Sequence, residues 1–312
     1  MTAIPTVTIA VPALNEAEHI VECLDAIAAQ THSTIVQVLV IDGGSSDRTR
    51  ELATAAGATV LDNPHRIQAA ALNIALDAAK GDVFVRVDAR TVIDADYVAN
   101  CVRVLDHTGA AMVGGAMSPV ANGWRHRGIA AAMASRVGAG PARFHIGGAP
   151  GWVDTVYLGA YRAEDAREVG GYAAEFAVNE DAEFAFRMKS RGGVWFDPSI
   201  RSTYTPRPDF VALGRQFFRY GRGRAATVRR HPGSLSPRQL AAPLLVLALL
   251  SPWRRPAALV YAGVVVASTA GVARREGSAA AGFACALPVM HCSWGAGFLL
   301  GLAGYRRTTP PT

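Results

Sequence analysis

The chain has 312 residues, half of them hydrophobic, and a formal net charge of +6, which leaves room for one large domain and an appendage. The charge is divided: 18 basic stand against 24 acidic residues up to position 214, and 13 against 1 beyond it, so the basic character belongs to the tail. The tail arginines lie beside long apolar runs, without interleaved aromatic-basic patterning or zinc-finger spacing, so the expected partner is a membrane and nucleic acid is excluded. Cys23, Cys101, Cys285 and Cys292 form no C-x-x-C pair and read as free thiols in a reducing compartment. No basic-then-apolar leader precedes the first strand, so no secretory signal is expected.

The first hundred residues alternate strand and helix. A strand at 7–11 leads through Pro12-Ala13-Leu14-Asn15-Glu16 to a helix near 17–30, and one at 36–41 leads through Gly43-Gly44-Ser45-Ser46 to a helix near 47–56. A short strand, Thr59-Val60-Leu61, precedes a helix near 66–79, and a strand at 83–87 ends on Asp88. This rhythm predicts an α/β fold with a doubly wound, mostly parallel sheet. Right-handed crossovers bring the strand ends 12–16, 42–47 and 88–90 to one rim. Further on, a helix is expected near 94–106, and the Gly- and Pro-rich stretch 136–151 reads as a mobile loop over a cleft. A helix is expected at 181–190, ending at Gly192-Gly193, followed by a strand at 194–196.

After Pro208 the pattern changes. Residues 210–230 place six arginines among Phe217, Phe218 and Tyr220, with the period of an amphipathic interfacial helix. Three apolar segments follow, 239–252, 256–273 and 279–304. The last two can span a bilayer, which needs ~20 residues, whereas the first is short and reads as re-entrant or extended at its N-terminal end. Arginine pairs flank all three, so the positive-inside rule does not settle topology.

Several stations carry chemistry, each with a plainer alternative. Asp42 ends a strand and can accept from a base or ribose, with Gly43 letting the backbone come close; alternatively 42–47 is a plain turn with Asp47 as a helix cap. Asn15 and Glu16 form the second wall of the same crevice or cap a helix. Arg66 opens a helix and can reach a phosphate, or it is a solvated surface residue. Asp88-Ala89-Arg90 has one carboxylate where an Asp-x-Asp pair would hold a divalent cation against a diphosphate. Either Asp88 holds the metal through one oxygen and water, or Arg90 supplies part of the charge; the plain alternative is an Asp88–Arg90 ion pair. Glu180-Asp181 offers a base for an acceptor hydroxyl or caps the following helix.

Together, Val11-Pro12-Ala13-Leu14-Asn15-Glu16, Val40 through Thr49, Asp88-Ala89-Arg90, Asn179-Glu180-Asp181 and Gln216-Phe217-Phe218-Arg219-Tyr220 occur in the order of the family 2 glycosyltransferases. The chain resembles that family over about residues 5–225. Val153 through Arg162 and the Asp-Ala-Arg substitution make it most similar to the succinoglycan-biosynthesis type of membrane-associated transferase. The resemblance implies a GT-A-like catalytic domain at 1–209, an amphipathic basic interfacial segment at 210–238, and a membrane region of two to three apolar helices at 239–312. It implies inverting transfer of one sugar from a nucleotide-diphosphate sugar to a lipid-linked or glycan acceptor, in exopolysaccharide or cell-envelope glycan synthesis. The protein would be anchored in the inner membrane by a hairpin or several passes, with its catalytic domain in the cytoplasm.

By the same resemblance, Pro12, Ala13, Asn15, Glu16, Asp42 and Gly43 line the nucleoside pocket, with Arg66 and Arg90 as further donor-site residues. Asp88 faces the ribose and diphosphate with Mg²⁺ or Mn²⁺, and Asp181, with Glu180, supplies the base. Gln216, Arg219 and Tyr220 correspond to the family's Q-x-x-R-W motif, with Tyr in place of Trp, and are expected at the acceptor and diphosphate. Two other readings differ in their consequences: a polyprenyl-phosphate sugar synthase, with a lipid monophosphate acceptor, and a membrane-anchored sugar-nucleotide- or glycan-binding scaffold without turnover.

Overall fold

The computed structural model describes residues 4–176 and 178–304. They fall into two compact units: residues up to Ser118 with Ala142–Thr205, and Pro119–Pro141 with the residues from Pro206 on.

The first unit is built on one nine-stranded sheet. Its first half is β1 (Val7–Ala13), α1 (Ile20–Ala28), β2 (Ile35–Asp42), α2 (Thr49–Ala55), β3 (Thr59–Asp62), α3 (Gln68–Ala78) and β4 (Val83–Arg86). The strands lie in the order β3-β2-β1-β4, all parallel. Val7, Ile9, Val11, Val40, Ile41 and Val85 are all buried. Apolar residues on consecutive positions leave no face for water, so these strands lie between helices, as parallel strands do. The alternation expected from the sequence is thus observed, with helix starts two or three residues later than expected at α1, α2 and α3.

The second half comprises β5 (Thr91–Ile93), α4 (Tyr97–Thr108) and β6 (Met112–Pro119). After the excursion into the second unit, which carries α5 (Gly123–Met133) and α6 (Arg136–Ala139), it continues with α7 (Arg143–Ile146), β7 (Gly151–Val153), β8 (Tyr157–Arg162), α8 (Ala163–Glu168), α9 (Glu180–Met188) and β9 (Val194–Tyr204). β8 pairs antiparallel with β4 and β6, and β9 antiparallel with β5 and β7, so the sheet is mixed. The strand expected at 194–196 runs on to Tyr204. The expected loop at 136–151 contains the short helices α6 and α7, and the unit boundary falls within it.

The second unit adds α10 (Phe210–Arg230), α11 (Ala241–Leu250), α12 (Arg254–Arg275) and α13 (Ala280–Leu302). Two segments are long and apolar enough to cross a membrane, Arg254–Arg275 and Gly277–Leu302. The unit boundary at Thr205/Pro206 lies near the expected 209/210, but residues 119–141, expected in the first domain, belong to the second unit. The segment 210–238 is not separate either. The apolar face of α10, with Leu213, Phe217 and Ala225 buried, packs on α13 instead of facing lipid.

Glycine sets that helix contact. A Cβ on Gly221 would overlap the Trp294 carbonyl oxygen, and one on Gly297 would overlap that of Phe218. Gly221→Val should therefore destabilise the protein by about 3 kcal/mol, the upper end of overpacking. Gly263→Val on α12, where a Cβ meets nothing within 4 Å, should stay within about 0.5 kcal/mol of the parent. Thermal unfolding in detergent compares the two.

Candidate active site

Strand register assembles the site. Ala13 lies beside Asp42, and Ala10 beside Arg86, so the segments after β1, β2 and β4 leave the sheet at one rim. From β1 the chain winds first toward β2 and β3, then returns to the other side at β4. The crevice between the ends of β1 and β4 is a topological switch point, where open α/β sheets bind ligands.

The wall after β1 and β2 is internally bonded. Asp42 is buried and accepts from Gly44 N at 3.1 Å, Ser45 Oγ at 2.5 Å and Arg50 Nη1 at 3.2 Å. Gly43 N donates to the Ala13 carbonyl at 2.8 Å. Asn15 N donates to Ser45 Oγ at 2.8 Å, and Ser46 N donates to Asn15 Oδ1 at 2.8 Å. Asp47 accepts from Thr49 N at 3.0 Å, a turn bond, but the residue before α2 is Arg48, so Asp47 is not the helix cap expected of it. Asp42 therefore organises its own turn in this state. Pro12 is half-buried, while Asn15 is exposed at the rim.

The Asp88 end departs from the expected pairing. Arg90 does not bond Asp88; its Nε donates to the Glu16 carboxylate at 2.9 Å, so this ion pair bridges the crevice. Asp88 is held instead by Arg86, with Nε to Oδ1 at 2.8 Å and Nη2 to Oδ2 at 3.2 Å, and by Gln68 Nε2 at 3.0 Å. Arg86 is itself buried, and its Nη1 donates to Glu180 Oε1 at 3.3 Å. One guanidinium thus joins the strand-end carboxylate to the Glu180-Asp181 station. Burial opposes the charge on Arg86, but Asp88 and Glu180 outweigh it and hold the pKa well above its ordinary value.

Glu180 responds in the opposite sense. Burial pushes its carboxyl up to about 7 against the pull of Arg86, and the charge of Asp181 adds to the rise. Phe184 and Tyr172, stacked at 4.2 Å between ring centroids, are both buried in the core beside this station. Neither acid caps α9 from outside. Asn179 is the residue before the helix and makes no side-chain cap bond, while Asp181 lies in the first turn and is only half-buried.

Backbone conformation marks the same places. Among the described residues four non-glycine residues have positive φ, and three are at expected stations: Asn15 (54°), Arg66 (56°) and Asn179 (70°). Asparagine tolerates this region better than most residues. Arg66 does not, and it is exposed, with its backbone N donating to the Asn63 carbonyl at 3.2 Å. Such strain gathers where surrounding structure holds a functional geometry.

Gln216, Arg219 and Tyr220 lie on α10 in the second unit. Gln216 Nε2 donates to Tyr220 Oη at 2.7 Å, and Arg219 is exposed. Arg86 was missed from the sequence, although a signal exists. It interrupts an apolar strand two residues before Asp88, and period two puts both on one face.

A parallel-then-antiparallel sheet with carboxylates at its switch point is the plan of a GT-A-like glycosyltransferase. The chain belongs to glycosyltransferase family 2, whose model, "Glycosyl transferase family 2", matches residues 8–170. It is 34% identical over 321 residues to the succinoglycan biosynthesis protein ExoA of Rhizobium meliloti (strain 1021), covering 96% of each chain. It is 28% identical over 121 residues, 36% of this chain and 40% of the relative, to the glycosyltransferase AglE of Haloferax volcanii. Among solved structures, the mannosyltransferase PcManGT from Pyrobaculum calidifontis, in complex with GDP-Man and Mn2+, superposes with a TM-score of 0.63 at 21% identity, over 98% of this chain and 89% of that one. S. aureus TarS 1–349 in complex with UDP gives 0.51 at 15%, over 96% and 92%.

Proposed function

We propose that this glycosyltransferase moves one sugar, with inversion, from a nucleotide-diphosphate sugar to a lipid-linked glycan acceptor at the cytoplasmic face of the inner membrane, in exopolysaccharide or cell-envelope glycan synthesis. The observation that carries the reading is the Asp88–Arg86–Glu180 chain beside the switch-point crevice, with Asp181 adjacent and more accessible. Similarity along nearly the whole chain to a succinoglycan biosynthesis protein supports the pathway class. The GDP-Man and UDP complexes of fold neighbours support the donor class.

In this mechanism Pro12, Ala13, Asn15, Glu16, Asp42 and Gly43 border the nucleoside, and Arg66 and Arg90 approach the phosphates. Asp181 takes the proton from the acceptor hydroxyl as its oxygen attacks the anomeric carbon in line. The carbon–oxygen bond to the diphosphate breaks on the opposite side, and the nucleoside diphosphate leaves with the electron pair. Arg86 fixes Asp88 and Glu180. On α10, Gln216, Arg219 and Tyr220 serve the acceptor and diphosphate.

The donor set fits a divalent cation sparingly. Asp88 is partly exposed and offers one carboxylate, and no cluster of three metal-ligating side chains occurs among the described residues. Mg²⁺ characteristically takes one or two carboxylates and completes its shell with substrate phosphates and water. When bound, such an ion would neutralise charge developing on the diphosphate. EDTA is therefore expected to abolish transfer and Mn²⁺ or Mg²⁺ to restore it, while Arg90→Ala raises the donor KM about tenfold and keeps the metal requirement. Activity that survives EDTA but is lost in Arg90→Ala would show that Arg90 supplies the charge itself.

The function is tested with membranes containing the protein, a panel of nucleotide sugars and a polyprenyl-diphosphate-sugar acceptor. Transfer to that acceptor is the expected result. Transfer only to bare polyprenyl phosphate would make the protein a polyprenyl-phosphate sugar synthase. Nucleotide-sugar binding without turnover would make it a scaffold.

A further inference from the structure

In the second unit, α13 has two kinds of neighbour. Its first half meets α5, where Gly282 and Gly128 bring the backbones together. Its second half runs alongside α10 in the same sense: Gly214 lies against Val289 and Ser293, Gly221 against Trp294 and Phe298, and Ala225 against Gly301. Arg229 Nη1 donates to the Gly301 carbonyl at 3.5 Å. Both neighbours carry arginine. α5 has Arg125 and Arg127, and α10 has Arg215, Arg219, Arg222, Arg224, Arg229 and Arg230 with no acidic residue in 210–230. Among its other neighbours, α11 and the middle of α12 are apolar. Ala242 of α11 abuts Gly295. Tyr261 of α12 donates to His291 Nδ1 at 2.8 Å, because His291 Nε2 donates to the Val137 carbonyl at 2.8 Å.

These contacts conflict with a spanning hairpin. If α13 crossed a bilayer, α10 would be drawn into the hydrocarbon over most of its length. Arginine at that depth is costly and is found where it lines a water-filled path or meets a partner. α12 cannot cross alone, since it is joined to α13 through Glu276–Ala279 and tied to it by the Tyr261–His291 bond. The charge pattern agrees. A hairpin places its turn and its ends on opposite sides, and the positive-inside rule then predicts unequal charge. Here Arg254-Arg255 and Arg274-Arg275 mark both ends of α12. Meanwhile α12 has no buried residue: Leu259 is 74% exposed and Val266 69%, and Trp253, just before the helix, is 73% exposed. Leu244 and Leu250 of α11 are exposed as well. The helical unit thus combines exposed apolar residues on α11 and α12 with the arginine-rich helix α10, although α12 by itself has no polar face.

We infer that the second unit docks onto an anionic phospholipid bilayer from one side, with α11 and α12 sunk in a single leaflet and neither α12 nor α13 crossing it. The occupant of the apolar surface is lipid. Among the described residues the unit has 15 arginines and 2 acidic residues, which complements anionic headgroups and repels a second copy of itself. The inference is independent of donor and acceptor chemistry.

Side-specific labelling of the full chain in the inner membrane of an expressing cell tests it. In a Cys285→Ala/Cys292→Ala background, Cys23 and Cys101 remain but are buried. A single thiol is introduced by Ser278→Cys, in the exposed α12–α13 connection, or by Ser190→Cys, on the exposed surface of the first unit. An impermeant maleimide should label both in inverted vesicles and neither in intact spheroplasts. Labelling of Ser278→Cys from the spheroplast side, or only after detergent, overturns the inference. In parallel, Leu259→Glu/Val266→Glu alters two exposed positions and should move most of the protein from the membrane pellet to the supernatant while nucleotide-sugar binding remains. If the double variant stays in the pellet, or wild type leaves the membrane as a stable dimer, α12 is not the lipid-facing surface.

Discussion

Asp181→Asn should lower kcat about 10³-fold, in the middle of the range for a lost general base, and leave donor affinity within a few-fold. Asparagine keeps the size of the side chain and its acceptor oxygen, so the Asp181 Oδ1 contact with Ala182 N at 2.7 Å can persist. What disappears is the capacity to take a proton. Single-turnover transfer with isothermal titration of the donor separates the two effects. Glu180→Gln should behave differently, since Glu180 is buried against Arg86 and cannot reach an acceptor without breaking that contact. Full activity in Asp181→Asn with loss in Glu180→Gln would exchange their roles.

Arg86→Met should be the most damaging substitution in the first unit. Removing one partner of a buried ion pair typically costs about 3–5 kcal/mol, and here two carboxylates lose the same guanidinium. The sign of the pH dependence follows from Glu180. Its folded pKa, about 7, already lies above its ordinary 4.5, so the native state holds a proton that the unfolded state has released, and stability falls as pH rises through that window. Without Arg86 the folded value rises further and the window extends above pH 7. The deficit of Arg86→Met should therefore grow between pH 6 and pH 8.5, and Glu180→Gln in the same chain should flatten that growth. Because Asp88 would still lack its fork of donors, transfer activity should remain low in the double variant. Thermal unfolding and kcat at the two pH values read both effects. A pH-independent deficit would place the loss in packing alone.

The parallel half of the sheet was legible because nothing there contradicts the local pattern. The runs ending at Asp42 and Asp88 are apolar on both faces apart from Arg86, and the first is followed by a turn into α2. β6 was not legible, since Gly114 and Gly115 weaken the strand pattern. Their reason lies elsewhere: a Cβ on Gly115 would overlap the Ile200 backbone of β9, a contact 85 residues away in sequence. At the site, the order of stations was readable, but the partner of each charge was not. Arg90 is two residues from Asp88, as Arg86 is, yet Arg86 points to Asp88 and Arg90 across the crevice to Glu16. The helix at 210–230 shows the same limit: its period reveals an apolar face without saying whether lipid or α13 covers it.

The Glu16–Arg90 contact also bears on how tightly a ligand can be held. Glu16 engages the Nε edge of Arg90, and among the described residues nothing holds its Nη edge. A long cationic side chain ordinarily forfeits about 1.5–2 kcal/mol of rotamer freedom when it is fixed. Here folding has already fixed it, so a diphosphate reaching the Nη edge would meet an oriented fork and incur little of that entropic cost. Each 1.4 kcal/mol saved is about tenfold in affinity. Glu16 would then act as a splint, strengthening anion binding although it is itself an anion.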